Sequence, residues 1–197
     1  IKGLASYSDY YPLFKFDYTK EGVQQIVEGI WKQAYFTIAN ANNIIKNIES
    51  MAPGEFRDGQ EEKNLIKGEA LAVRAMLHLD LLRLFAPAPI ADDGKPYIPY
   101  LEDFPYYGGH AKESVESVMT KIVRDLKEAK ELIASYDTED ADRLSQLSSY
   151  NRFQLQTGGT NAVAFYEYRG YRINVIAVTG LLARAYDYWG RHAEAFE

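Results

Sequence analysis

The chain has 197 residues, of which 47% are hydrophobic and 25% charged, which is enough for one domain with its own core. Its formal net charge of -6 argues against nucleic-acid binding, which needs a clustered basic surface. It contains no Cys, which excludes disulfides and thiolate chemistry, and no apolar run approaches the roughly 18 residues of a membrane-spanning helix.

Two long helices are predicted in the first half of the chain from apolar side chains spaced three and four residues apart. The first runs from about Thr19, a suitable N-cap residue, to Ser50. The second begins at Asp58, where an Asp-x-x-Glu pattern with Glu61 resembles a capping box. Pro87 stops this second helix, because proline cannot continue it.

Two more helices follow with the same spacing. The third starts near Ser114, and its apolar positions continue to Ile133. The fourth starts near Asn174 and ends before Gly190. We therefore expect an all-α fold.

The fourth helix also carries the spacing of small, aromatic and glycine residues that is typical of a tetratricopeptide repeat. Ala183 and Ala195 would allow two antiparallel helices to approach closely, Tyr186 would fill the groove between them, and Gly190 would permit the turn. The pattern predicts one domain over residues 1–197, built from antiparallel helix pairs that form tetratricopeptide-like repeats. An irregular helical bundle is the alternative.

Two long stretches lack clean periodicity, and loops of this length are usually functional or disordered. Residues 87–110 contain five of the seven Pro, and residues 137–171 are first polar and then aromatic. A short β-hairpin fits at Gly158-Gly159 within the second stretch. The residues that would flank it in partial alternation are Phe153, Leu155, Val163 and Phe165.

Tyrosine is the residue type whose placement stands out. Of the 16 Tyr, twelve fall in residues 7–18, 97–107 and 150–171, outside the predicted helical stripes. Tyrosines that served only the core would be expected on those stripes. The aromatic loops are therefore the first place to seek recognition.

No motif for catalysis, a metal or a cofactor is present. His78, His110 and His192 show no metal-binding spacing, and the chain lacks a Walker loop, a G-x-G-x-x-G and a G-x-S-x-G sequence. The run Asp92-Asp93-Gly94 lacks the other ligands of an EF-hand and indicates a turn. We therefore predict a protein that is not an enzyme and has no cofactor.

Four blocks of sequence carry a family resemblance. They are Trp31-x-x-x-Tyr35-x-x-Ile38-x-x-Ala41-Asn42, the continuous block Gly68 to Phe85, Ile122-x-x-Asp125-Leu126, and Arg172-Ile173-Asn174. In this order they resemble the N-terminal half of the SusD/RagB-like family, the nutrient-binding outer-membrane lipoproteins of Bacteroidetes. The resemblance covers about residues 22–197.

The resemblance implies a helical-repeat protein that binds a glycan or another nutrient without catalysis. Its partner would be a SusC-like TonB-dependent transporter. It would face outward from the outer membrane, with membrane contact only through a lipid anchor upstream of this chain. The chain would then be an N-terminal fragment of a longer protein. The alternative is a tetratricopeptide-type module that binds proteins and no glycan.

The resemblance supplies recurring polar positions but no ligand site. Asn42, Arg74, Asp80, Asp125 and Asn174 recur in the family pattern, and we expect them to form interhelix hydrogen bonds and helix caps, because buried polar groups need partners.

Ligand residues are therefore chosen on physical grounds. Aromatic rings offer a flat face to the C–H groups of sugars, tyrosine adds a hydroxyl, and nearby prolines reduce the entropy lost on binding. The candidates follow the second helix and are Tyr97, Tyr100, Asp103, Phe104, Tyr106 and Tyr107. The same rings could instead pack the loop onto the helices or contact the transporter, since Tyr is enriched at interfaces.

Overall fold

The fold is known from a computed structural model that describes residues 10–150, 165, 166 and 169–196. It divides into two compact units, residues 1–37 and residues 38–197. The α-helices of the described residues are α1 (Tyr10–Phe14), α2 (Glu21–Ser50), α3 (Gly59–Phe85), α4 (Val115–Asp137), α5 (Ala141–Ser148) and α6 (Val175–Trp189). The all-α prediction is confirmed.

The first unit contains α1 and the N-terminal part of α2. Its aromatic side chains are largely exposed, and Trp31 and Tyr35 lie against each other with ring centroids 4.8 Å apart. The prediction that Thr19 caps α2 is wrong. The helix begins at Glu21, and the Thr19 hydroxyl and amide both donate to Asp17 Oδ1 (2.6 and 3.1 Å).

The second unit is an array of antiparallel helices in which α3 is central. Lys67 of α3 pairs with Glu49 of α2 at 2.9 Å and with Glu128 of α4 at 2.8 Å. At the C-terminal end of α4, its last residue Asp137 accepts the amide of Val175, the first residue of α6, at 2.8 Å. The long helices α2, α3, α4 and α6 therefore pack against their neighbours in chain order, as tetratricopeptide-like pairing requires.

The core of this unit lies mainly between α3 and α4. A helix with buried residues on every face must be surrounded by other elements, and α3 buries eleven residues. Full burial of one Leu or Ile side chain stabilises a fold by about 1.5–3 kcal/mol. The largest fully buried side chains of α3 and α4 are Leu65, Leu71, Leu79, Leu81, Leu82, Met119, Ile122, Leu126 and Ile133.

Four of the six helix-end signals in the sequence are confirmed, among them Pro87, since α3 ends at Phe85. Ser114 caps α4 by accepting the amide of Ser117, Asn174 caps α6, and Gly190 ends α6 with a left-handed φ of 81°. The capping box of Asp58 and Glu61 is absent. Glu62, one residue further on, accepts the Asp58 amide at 3.2 Å instead, and the Asp58 side chain makes no cap.

The stretch of residues 137–171 differs from its predicted loop character. It contains α5, an eight-residue helix whose N-cap Asp140 accepts the amide of Asp142. This helix is short and mostly polar, so it has no apolar stripe to reveal it. The hairpin at Gly158-Gly159 lies outside the described residues. Ala195, expected to start a paired helix, lies in the 3₁₀ turn Glu194–Phe196.

None of the helices in the described part of the chain combines the length and the apolar composition that crossing a membrane requires.

Gly68 sets the distance between α3 and α4. A Cβ atom at this position would lie 2.7 Å from Ile133 Cγ1 and 3.2 Å from the carbonyl oxygen of Ala129. Real Cβ atoms essentially never lie 2.7 Å from a neighbour, and 3.2 Å is tighter than most such contacts, so a larger residue here would force α3 and α4 to shift.

We expect Gly68→Ala to destabilise the chain, although alanine favours helices over glycine by about 1 kcal/mol. Overpacking costs about 1–3 kcal/mol, so after this gain the free energy of unfolding should fall by up to about 2 kcal/mol. Gly180→Ala in α6 is the matched control, because nothing lies within 4 Å of its Cβ. If urea denaturation gave the same rise in the free energy of unfolding for both variants, close packing at Gly68 would be contradicted.

A candidate ligand-binding loop and its buried support

The candidate site residues lie on the loop between α3 and α4, residues 86–114, called here the α3–α4 loop. An antiparallel bridge joins its middle to its C-terminal end, because the Tyr97 amide donates to the Glu113 carbonyl and the Glu113 amide to the Ile98 carbonyl (both 2.9 Å). Residues 99–112 therefore form a loop that is closed at its base by this bridge.

The outer part of the closed loop carries exposed rings. Tyr107 is 90% exposed, and Tyr106 is 45% exposed and stacks on His110 with ring centroids 4.6 Å apart and planes 15° apart. Gly108 and Gly109 follow with φ of 84° and 68°, the left-handed conformation that glycine adopts without strain. This turn allows His110 to fold back under Tyr106.

The other candidates lie closer to the helices. Tyr97 is partly buried, and its hydroxyl donates to Asp93 Oδ1 at 2.7 Å. Asp103 is exposed and Phe104 is partly buried. Tyr100 is only 4% exposed and lies beneath the loop, where its ring stacks on His78 with centroids 3.9 Å apart. The structure thus brings Tyr106 together with His110 and directs Tyr100 into the core.

A buried polar cluster, formed by Asn42, Arg74, His78, Tyr100 and Asp125, supports the loop from below. Arg74 Nε donates to Asp125 Oδ2 at 2.6 Å, and Arg74 Nη1 donates to Asn42 Oδ1 at 3.0 Å. The Tyr100 hydroxyl donates to the same Asp125 oxygen at 2.6 Å. The cluster thereby joins α2, α3 and α4 to the loop through side chains that are at least nine-tenths buried.

His78 is a neutral imidazole that accepts a hydrogen bond from the loop backbone. The Leu101 amide donates to His78 Nε2 at 3.0 Å, so this nitrogen carries no proton, and Nδ1 donates its proton to the Arg74 carbonyl at 2.9 Å. Burial lowers the pKa of His78 to about 3, and the nearby charge of Arg74 contributes to this. The ring is therefore neutral at pH 7 and fixed in one tautomer.

Asp125 stays ionised in spite of its burial. Burial alone would raise the pKa of its carboxyl, but the hydrogen bond and charge of Arg74 outweigh this, and the pKa lies below its ordinary value. Its other oxygen accepts from Arg124 Nη2 at 2.7 Å. Burial and this carboxylate together raise the pKa of the Tyr100 hydroxyl, which therefore remains a donor.

A second buried cluster fixes the segment before α6. Arg169 donates to both carboxylate oxygens of Asp137 at 2.9 Å and to Glu69 Oε1 at 2.5 Å. Arg172 adds a bond to Glu69 Oε2 at 2.8 Å, and the Asn174 side chain donates to the Arg169 carbonyl at 3.1 Å. This cluster joins α3, α4 and the start of α6.

The expected structural roles of the family-pattern residues are confirmed. Asn42, Arg74 and Asp125 form interhelix hydrogen bonds, and Asn174 caps α6. Asp80 is partly exposed and joins α3 to α6 through Arg184 at 2.9 Å.

Sequence reasoning missed three of the contributors to the site. The sequence offers no signal for the stacking of His110 or for Lys46, whose Nζ donates to the Phe104 carbonyl at 2.8 Å. The spacing of His78 excludes a metal site but does not predict its contact with the loop. No three His, Asp or Glu side chains in the described ranges are arranged to hold a metal ion.

The chain is similar to proteins of one family. The SusD-like family described as "starch-binding associating with outer membrane" matches residues 7–152. No curated protein matches the chain.

Three solved structures share the fold and each covers 84% of this chain. A putative sugar binding protein from Bacteroides vulgatus has a TM-score of 0.61 at 27% identity, and a SusD-like carbohydrate binding protein from the same species 0.60 at 26%. A SusD superfamily protein from Bacteroides thetaiotaomicron has a TM-score of 0.60 at 22% identity and supports the fold alone. The chain spans 29–30% of the length of these proteins.

We expect Asp125→Asn to lower the free energy of unfolding by about 3–5 kcal/mol, because Arg74 would be left buried without a counter-charge. Asp80→Asn is the matched control. It also removes an interhelix carboxylate from an arginine, but at a partly exposed pair that contributes about 0–1 kcal/mol. Equal losses in urea denaturation would refute a central role for the buried pair.

We expect the free energy of unfolding to fall as the pH decreases from about 6.5 to 4.5. The unfolded chain protonates His78 near pH 6.5, whereas the folded chain does so only near pH 3. The stabilisation from neutral His78 is therefore complete above this window and decreases within it, by up to about 1.4 kcal/mol per pH unit. In His78→Phe this part of the slope should be missing. Parallel stability curves for the two proteins would contradict the assignment.

Proposed function

The chain belongs to the SusD-like family, and on this basis we propose that it binds carbohydrate, without catalysis, through the exposed rings of the α3–α4 loop. The observation that supports this best is the Tyr106–His110 stack beside the 90% exposed Tyr107. Neighbouring exposed rings form a contiguous apolar patch, and such patches mark candidate binding sites. Pyranose rings offer C–H faces that such a surface can cover.

The support beneath the loop favours binding as well. A surface that is already ordered loses less conformational entropy when a ligand arrives. The loop is closed by the bridge between Ile98 and Glu113 and is held from below by Tyr100 and His78. Tyr100 thus contributes to the proposed site by fixing the loop, and Tyr106 and Tyr107 contribute the ligand surface.

Asp103 and Tyr97 supply polar groups near the rings. The Asp103 carboxylate is exposed and can accept hydrogen bonds from sugar hydroxyls, while the Tyr97 hydroxyl is already directed at Asp93. Phe104 is partly buried and carries the carbonyl that Lys46 holds. We assign Asp103 to ligand contact and Tyr97 and Phe104 to the framework around it.

We further propose that the full-length protein acts at the outward face of the outer membrane and delivers its ligand to a SusC-like TonB-dependent transporter. Family membership supports this role, as do two structural relatives described as sugar or carbohydrate binding proteins. A lipid anchor upstream of this chain would provide the membrane contact. The competing hypothesis is a helical-repeat module that binds only proteins.

We expect Tyr106→Ala and Tyr107→Ala to weaken carbohydrate binding by about tenfold or more, since loss of one ring contact removes about 1.4 kcal/mol. Calorimetry with amylopectin and a panel of other oligosaccharides measures this. Tyr150→Ala is the control, because Tyr150 is 92% exposed but lies on the other aromatic stretch.

Loss of binding in Tyr150→Ala alone would move the site to that other stretch. If the folded wild-type chain bound no carbohydrate at all, the protein-binding hypothesis would be favoured.

A further inference from the structure

Two side chains of α2 hold the main chain of the α3–α4 loop. Asn42 Nδ2 donates to the Leu101 carbonyl at 2.9 Å and lies 3.5 Å from the Asp103 carbonyl. Lys46 Nζ donates to the Phe104 carbonyl at 2.8 Å. Asn42 and Lys46 are four residues apart, one turn along the same face of the helix. Together they contact the carbonyls just before the exposed rings.

Apart from these donors, this part of the loop is held at its start by the Glu102 side chain, which accepts from Arg124 Nη2 of α4 at 2.5 Å. Within the described ranges, residues 102–112 make no main-chain to main-chain hydrogen bond with one another. The stacked ring of His110 is a contact between side chains and fixes only the far end of the turn. The path of residues 102–106 therefore depends on donors that come from outside the loop.

The contacts are to carbonyl groups, which every residue type has. The same two donors would hold the loop whichever side chains stood at positions 104, 106 and 107. Loop position and loop chemistry are therefore separable in this arrangement, since the helix sets the first and the ring-bearing residues set the second.

We propose that Asn42 and Lys46 are positioning residues that place the ring-bearing part of the α3–α4 loop for ligand binding, and that they do so independently of the rings. The inference rests on the proposed function for its second half, because it assigns ligand contact to Tyr106 and Tyr107. Its first half concerns the loop alone and holds or fails without any ligand.

Lys46 allows this to be tested without damage to the core. Asn42 is buried and also accepts from Arg74, so its replacement would disturb the buried cluster. Lys46 is exposed, and Lys46→Met retains most of the aliphatic chain while it removes the donor. Lys63→Met is a matched control, because Lys63 Nζ donates to the Met51 carbonyl at 2.5 Å, at the opposite end of α3.

The first measurement is ¹⁵N relaxation of the ligand-free chain, in Lys46→Met, Lys63→Met and the double variant Tyr106→Ala/Tyr107→Ala. We expect backbone order parameters at Phe104, Tyr107 and Gly108 to fall from about 0.85 toward 0.6 only in Lys46→Met. In the double variant the order parameter of Phe104 should remain at its wild-type value. Unchanged order parameters in Lys46→Met, or loss of order at Phe104 in the double variant, would overturn the proposal.

The second measurement is calorimetric affinity for amylopectin, or for whichever oligosaccharide of the panel the wild type binds. Lys46→Met should bind about three- to tenfold more weakly than Lys63→Met, because an unplaced loop must be ordered during binding. Equal affinity despite a loosened loop would refute the link to recognition. A wild type that binds no carbohydrate would refute the proposed function only, and the relaxation data would still decide whether Lys46 positions the loop.

Discussion

The buried Asp125 carboxylate is the group on which the rest of this structure depends. It accepts hydrogen bonds from α3 through Arg74, from its own helix through Arg124 and from the α3–α4 loop through Tyr100. A charge in the core costs several kcal/mol in lost hydration, which only complete pairing offsets. Arg74 and Tyr100 belong to different parts of the chain, so their hydrogen bonds to Asp125 fix α3 and the α3–α4 loop relative to α4. The position of the exposed rings on that loop therefore depends on Asp125.

A second aspartate of α4 likewise accepts hydrogen bonds from an arginine and from another part of the chain. Asp137, the last residue of α4, receives Arg169 and the first amide of α6, as Asp125 receives Arg74 and the loop. In both places arginine provides several donors in a fixed planar arrangement, so it sets orientation as well as distance. Helix α4 thus holds the α3–α4 loop at its middle, through Asp125, and the segment before α6 at its C-terminal end, through Asp137.

The parts of this fold that were predictable from sequence are those with local signals. Apolar periodicity located α2, α3, α4 and α6 to within a few residues, and the buried roles of Asn42, Arg74 and Asp125 followed from family-pattern positions on apolar helices. Helices α1 and α5 are too short to show a period. Packing of loop rings onto the helices was one of the alternatives, but the sequence could not single out Tyr100, because the surrounding proline-rich segment has no periodicity. The contact of Lys46 with the Phe104 carbonyl depends on the path of the loop in three dimensions, which the sequence around Lys46 does not reveal.

The antiparallel arrangement of chain-adjacent helices has a consequence for how the fold is reached. Contacts between α2 and α3 close a short connection, and those between α3 and α4 close the longer loop of residues 86–114, so both are local and favour early formation. The bond between Glu69 and Arg169 is different, since 100 positions separate the two residues. The entropy cost of forming this bond is low only after α4 has packed against α3 and Asp137 can bind Arg169 as well. We therefore expect the segment before α6 to dock only after α3 and α4 have paired, so that two residues far apart in the chain are joined late in folding.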